Sequence, residues 1–380
     1  MNTKNLLGEA SWPISNDRVS AHVTRAGGHL GPVEFLLGGR SVSPFHVAPW
    51  AGERGARGLP PVLRVLRGDF FCMPFGGNAE PWRGERHPVH GETANAEWRR
   101  EATSQSGKWT GLHLSLDPGV RSGRVEKTIS LRSGDPAIYS RHVISGMRGP
   151  MPLGHHAMLA FEEGEEARIS TSPIFRGQVY PGVFEDPALG GYSSLKKGAL
   201  FRALSRVPLA DGGNADLSRY PAREGFEDLV MVSSRPGEDF GWSAAVIPGR
   251  KFLWFSLKDP RVLASTVLWH SNGGRHYAPW CGRQRRVLGI EEVTSYFHEG
   301  IASSAKANPV SRAGIPTCLH LDPSAPLVVN TIMGVAALPK GFEEVREIRR
   351  TPRGIRIISG TAALEVPLDT GFLSGNEKSG

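Results

Sequence analysis

In Val19-Ser20-Ala21-His22-Val23-Thr24 apolar and polar residues alternate almost one for one, and Leu112-His113-Leu114-Ser115-Leu116 repeats the pattern. That period is what a strand with one buried and one wet face requires. Val125, Ile129 and Leu131 keep it around Lys127, while Leu229 to Val232, Ala244 to Ile247 and Leu253 to Leu257 are short apolar runs bounded by Gly, Pro or Asp. The turn signals Gly27-Gly28, Gly38-Gly39, Pro236-Gly237, Pro248-Gly249 and Asn272-Gly273-Gly274 separate these runs at intervals too short for alternating helices. The expectation is an all-β chain of antiparallel sheets packed face to face, against a parallel doubly wound fold.

Composition points the same way. With 380 residues the chain can bury a sizeable core as one large domain or two to three ordinary ones. Hydrophobic residues at 39% and charged residues at 22% are an ordinary globular mix, which excludes extensive disorder. Gly 47 and Pro 29 make the chain turn-rich. The best internal boundary is the polar stretch Ala302 to Arg312. Residues 1–301 are expected to form the main β unit, and residues 302–380 to extend it or form a small appended one. The tail from Ser374 to Gly380 is expected to fray.

The net charge of +8 permits acidic partners. The densest basic stretch, Arg346 to Arg356, lacks the interleaved aromatics of a single-strand binder, so it reads as a solvated strand-turn-strand edge with no nucleic-acid partner. Cys72, Cys281 and Cys318 are sparse and form no CxxC, which indicates neither a disulfide framework nor a zinc ribbon and fits a cytoplasmic protein. Met1 to Pro13 carries one Lys and no long apolar run, and no segment approaches the roughly 18 apolar residues of a membrane helix, so neither a signal peptide nor a membrane partner is expected. Phosphate loops, GxGxxG, HExxH and GxSxG are absent, which removes the familiar nucleotide, dinucleotide, zincin and serine hydrolase classes.

What remains is a scatter of polar residues beside glycine, aromatic and strand signals. Arg67-Gly68-Asp69-Phe70-Phe71-Cys72-Met73-Pro74-Phe75-Gly76, followed by His90-Gly91 and then Trp98, resembles the front half of the aldose 1-epimerase (galactose mutarotase) superfamily. Leu153-Gly154-His155-His156-Ala157 is similar to that family's second histidine strand, Phe226-Glu227-Asp228-Leu229 to its ligand-binding Asp before a strand, and Gly289-Ile290-Glu291-Glu292 to its closing Gly-hydrophobic-Glu turn. The order is kept from about Val19 to Thr294. The family's Asn-Arg pair is missing after Phe75, Ala94 stands where many members carry Arg, and Glu292 stands where they carry Pro.

The resemblance implies a galactose mutarotase-like antiparallel β-supersandwich and a cofactor-independent epimerase or mutarotase acting at the anomeric carbon of an aldose or aldose derivative. Glu291 would be the general base and His156 the general acid, with His90, Asp228 and Arg67 binding substrate. General acid and base suffice for ring opening, so neither a metal nor a cofactor is expected. The partner would be a carbohydrate, with anionic or phosphorylated sugars open because of Arg67, Arg83 and Arg275. Two alternatives stand beside this reading: a non-catalytic carbohydrate-binding protein of the same fold, and a metal-dependent sugar isomerase or lyase using His87, His90 and Glu92. By strand alternation His155 and Glu292 should face away from their neighbours. Trp82, Trp98, Trp269 and Trp280 are candidates for the core or for stacking on a sugar face.

Overall fold

The computed structural model describes residues 3–238 and 240–375; residues 376–380 of the tail expected to fray lie outside the described residues. Two antiparallel sheets dominate. The larger has nine strands, in the order Arg219–Tyr220, Ala167–Thr171, Gly241–Ile247, Phe252–Lys258, Leu327–Ala337, Ala137–Ser145, Arg124–Arg132, Trp109–Leu116 and Arg99–Ser106. The second, eight-stranded sheet runs Leu200–Phe201, Arg176–Val179, Phe226–Ser233, Ser265–Asn272, Val287–Thr294, Leu153–His155 and Phe71–Cys72, with Ala157–Ala160 also on Val287–Thr294. Among the described residues no helix exceeds five residues, and none is long and apolar enough to cross a membrane.

Alternation dictates what each strand buries. On Arg124–Arg132, Val125, Ile129 and Leu131 point into the inter-sheet core, where they join Val230, Val232, Leu268, Leu288 and Ile290 of the other sheet. The in-phase Lys127 is buried as well; its ammonium donates to the Gly28 carbonyl at 2.5 Å and lies over the Trp98 ring. A five-stranded sheet, from Lys4–Leu6 to Arg40–Val42, adds Val19, Ala21, Val23, Val33 and Phe35 to this core.

The residues after 301 play two parts. Leu327–Ala337 runs through the middle of the nine-stranded sheet, paired on both edges. Glu347–Thr351, Gly354–Ser359 and Ala362–Pro367 form a small sheet whose Ile348, Ile355, Ile357 and Val366 cover the outer face of the large one, against Trp242, Val246, Phe255 and Ile332. The inter-sheet core occupies one face of the eight-stranded sheet. Its other face carries Leu229, Met231, Val267, Trp269 and Val293, packed on Trp50, Phe70 and Trp280, and here the cavity opens.

Candidate active site

The site begins with register. Gly154 pairs with Val293 and Ala157 with Ile290, so of the two residues between, His155 falls at Glu292 and His156 comes opposite Glu291. At His156 the chain leaves the ladder briefly and its amide donates instead to the Phe70 carbonyl, at 2.9 Å. The Gly-Ile-Glu segment, expected as a turn, is the middle of the strand Val287–Thr294: Gly289 pairs with Trp269 on one side and Met158 on the other, so both ladders run straight through it. The glycine has a different purpose. A Cβ at Gly289 would lie 2.7 Å from Glu291 Oε1 and 3.1 Å from Trp269 Cβ, so the missing side chain makes room for the carboxylate.

His90 arrives on a loop rather than a strand. It adopts a left-handed φ of 59°, its amide donates to the Gly76 carbonyl at 2.7 Å, and the next residue must be glycine, because a Cβ at Gly91 would fall 1.9 Å from the Met73 carbonyl oxygen. This explains the His-Gly pair in the sequence. The His90 ring meets His156 edge-on at 5.0 Å, and His156 stacks on Phe70 at 4.6 Å, whose far face stacks on His29 at 4.1 Å.

Glu291, His156, His90 and Phe70 line a cavity of about 190 Å³, completed by Val62, Leu63, Leu66, Gly77, Val89, Phe184, Leu229, Trp269, Arg275, Trp280 and His298. His156 Nε2 lies 3.3 Å from Glu291 Oε1, with both side chains almost wholly buried. Burial pushes the Glu291 carboxyl well above its usual value, with Arg275 opposing, and pushes His156 down to about 3, with His29 and Arg275 adding to the effect. Both shifts favour a neutral pair, carboxyl beside imidazole, over an ion pair. Burial likewise pushes His90 down, helped by His156, and His298 down to about 4.

Arg275 forms the charged corner. Its guanidinium lies over the rings of Trp280, Trp269 and Phe184 at 4.6, 5.1 and 5.4 Å, and its Nε donates to Glu185 at 2.6 Å. Burial opposes its charge, but Glu227 and Glu185 hold it above its usual value. Glu227 accepts from Trp269 Nε1 at 2.9 Å, Ser271 Oγ at 3.1 Å and the Gly274 amide at 3.1 Å; burial, against Arg275, raises it to about 7.

Glu291, His156 and His90 thus meet in one cavity, whereas Asp228 and Arg67 do not line it. Asp228 accepts from the Ser194 amide and hydroxyl, at 2.9 and 2.6 Å, and from the Leu195 amide at 3.0 Å, so it ties down a loop. Alternation explains this, since Glu227 is in phase with the cavity residue Leu229 and Asp228 is not. Arg67 is fully buried, donates to the carbonyls of Val65, Leu6 and Leu7, and feels the Glu9 carboxylate, so it braces the N-terminal strands away from the cavity. The metal-site trio does not converge either. His87 meets Glu85 at 3.0 Å, its side chain only 3% exposed rather than solvated; Glu92 accepts from the Gly119 and Val120 amides; and among the described residues no group of three suitable side chains could hold an ion.

His155 and Glu292 face the opposite way, toward the large sheet. His155 Nδ1 is 2.8 Å from Asp69 Oδ2 and its Nε2 3.3 Å from Thr331 Oγ1, while Glu292 accepts from Lys258 at 2.5 Å and Thr266 at 2.7 Å. Two groups had not been singled out in the sequence. Glu227 could have been found by its phase with Leu229; His298 follows the strand on an irregular segment and carries no local signal.

No protein-family model matches the sequence, and no curated protein matches it. Solved structures do. The chain is similar to a candidate mutarotase, YeaD, from Salmonella typhimurium (12% identity, TM-score 0.58, over 88% of this chain and 93% of that one). It is similar also to a candidate aldose 1-epimerase from Escherichia coli K12 (13%, 0.56, 86% and 99%) and to a galactose mutarotase-like protein from Clostridium acetobutylicum (14%, 0.56, 88% and 98%). The chain has the galactose mutarotase-like fold.

Proposed function

We propose that the protein is a cofactor-independent aldose 1-epimerase, a mutarotase that opens and recloses the ring of a sugar at its anomeric carbon. The observation that carries this reading is the contact of His156 with Glu291 inside an aromatic cavity. A carboxyl and an imidazole sharing one proton hold the full inventory for the reaction. Transfer of that proton across 3.3 Å leaves a Glu291 carboxylate and a His156 imidazolium. In this largely apolar cavity the ionic form is disfavoured; the Arg275 charge favours the carboxylate but opposes the imidazolium, so it is the sugar hydroxyls, bonding to both charges, by which substrate favours the reactive state.

The carboxylate then removes the proton from the C1 hydroxyl while the imidazolium protonates the ring oxygen, and the C1–O5 bond breaks to give the open aldehyde. Rotation about C1–C2 and the reverse transfers close the ring on the other face. Bringing both groups to one sugar replaces encounters in water with a positioned transfer. Trp269 and Trp280 offer faces for the apolar side of the ring.

The test is proton NMR of freshly dissolved α-sugars with and without the protein. Faster decay to the anomeric equilibrium is the expected result. Shifted resonances without faster decay would instead make it a carbohydrate-binding protein that keeps the fold and lacks the reaction.

A further inference from the structure

A sugar in this cavity would meet few partners for its hydroxyls. Of the fifteen lining residues nine are hydrocarbon or aromatic, and none is Asp, Asn, Gln, Ser or Thr. Some of the polar atoms present are committed, Glu291 Oε1 and His156 Nε2 to each other, Trp269 Nε1 to Glu227, and His90 Nδ1 to the Gly76 amide at 3.4 Å, while His156 Nδ1 and His298 Nδ1 are buried without a partner among the described residues. A hexopyranose brings five hydroxyls and a ring oxygen. The C1 hydroxyl and the ring oxygen belong to the reacting pair, which leaves four hydroxyls for His90, His298, Arg275 and the Trp280 indole.

One wall is wholly aliphatic. The short helix Pro61–Arg64 supplies Val62 and Leu63 and the next residues add Leu66, with Val89, 48% exposed, at the rim on the loop leading to His90. A hydroxymethyl group turned against such a wall loses water and gains no hydrogen bond, whereas a methyl group gains contact and loses nothing. Arg275 does not reverse this toward an anion. Its charge is already answered by Glu185 at 2.6 Å and by Glu227, and three aromatic rings crowd its face. A phosphate or uronate would have to compete with a built-in carboxylate.

We infer, resting on the epimerase reading above, that the substrate is an uncharged 6-deoxy sugar, a hexose with a methyl where common hexoses carry a hydroxymethyl. The aliphatic wall selects it, with the anionic and phosphorylated sugars excluded by the compensated arginine.

The experiment is anomeric exchange measured by saturation-transfer NMR on the full chain, with the uncatalysed rate subtracted, using pairs that differ only at C6: D-fucose and D-galactose, D-quinovose and D-glucose, L-rhamnose and L-mannose, with D-galacturonate as the charged arm. At least one 6-deoxy sugar is expected to show kcat/KM about 10- to 100-fold above its hydroxymethyl partner and above galacturonate, the usual discrimination of an apolar pocket against an added hydroxyl. Leu63→Asn, which sets an amide in the wall at a partly exposed position, should narrow that ratio to a few-fold. If exchange is accelerated but the hydroxymethyl or charged sugar equals or exceeds the 6-deoxy member in every pair, the inference fails while the epimerase reading stands. If no sugar exchanges faster with the protein, the epimerase reading fails and the inference falls with it.

Discussion

His156 Nε2 lies 3.3 Å from Glu291 Oε1 because the two residues are cross-strand neighbours, fixed by the pairing of Gly154 with Val293 and Ala157 with Ile290. Their separation is set by ladder register, which a side-chain substitution leaves intact. Glu291→Gln keeps shape and removes the proposed base, and His156→Asn removes the proposed acid. Each should lower turnover by about 100-fold or more. Sugar binding, read by thermal shift, should survive in both. Full activity in Glu291→Gln would show that the carboxylate is not the base.

The adjacent carboxylate should behave differently. Glu292 faces the large sheet and holds the buried Lys258 ammonium at 2.5 Å. Glu292→Gln leaves that ammonium without its counter-charge and should cost about 3 kcal/mol of stability, the usual penalty for breaking a buried pair. Turnover of the folded protein should change little. Urea unfolding together with kcat separates the two effects: a large loss of kcat at unchanged stability would mean that Glu292, not Glu291, touches the sugar.

Gly289 supplies a third test. Alanine there puts a Cβ 2.7 Å from Glu291 Oε1, and with Trp269 packed behind, it is the carboxylate that must move. Displacement of a base by about 1 Å can cost on the order of 100-fold. Gly289→Ala is expected to lose kcat by about 10-fold or more while its far-UV circular dichroism stays native. Unchanged kcat would show that the carboxylate has freedom to reposition.

How much of this was legible depends on which interactions are local. Period-two alternation is a property of single strands, and it correctly turned His155 and Glu292 away from the cavity. The same rule, applied to Phe226–Ser233, favours Glu227 over Asp228, because Leu229 faces the cavity; the family-like position of Asp228 masked that signal. Arg67 was misread for another reason. Its partners are the carbonyls of Leu6 and Leu7, which reach it through a tertiary contact that no pattern around residue 67 encodes. The central position of Leu327–Ala337 is equally non-local: an apolar run marks a strand buried on both faces, but only the sheet reveals its neighbours. His90 became legible through its glycine, since Gly91 is required by the Met73 carbonyl.

Buried histidines should make the fold acid-labile. Burial lowers His46 and His298 to about 4 and His156 and His270 to about 3, and holds His29, His90 and His142 well below their usual value. In the unfolded chain each returns to about 6.5. Between about pH 4.5 and 6.5 these seven imidazoles therefore take up protons on unfolding, so the stability they confer is complete above about 6.5 and drains away as pH falls. Glu227, raised to about 7, and Glu291, also raised, act in the opposite sense. Each is protonated in the folded state and releases its proton on unfolding, which stabilises the fold as pH falls through this window. The lowered histidines outnumber the raised carboxyls, so the balance is a net uptake of protons on unfolding and stability falls as pH falls through this window. The urea midpoint should hold nearly steady from pH 7.5 to 6.5 and then drop as pH falls toward 5. A midpoint that stays level down to pH 5 would mean that these imidazoles are not held neutral by burial.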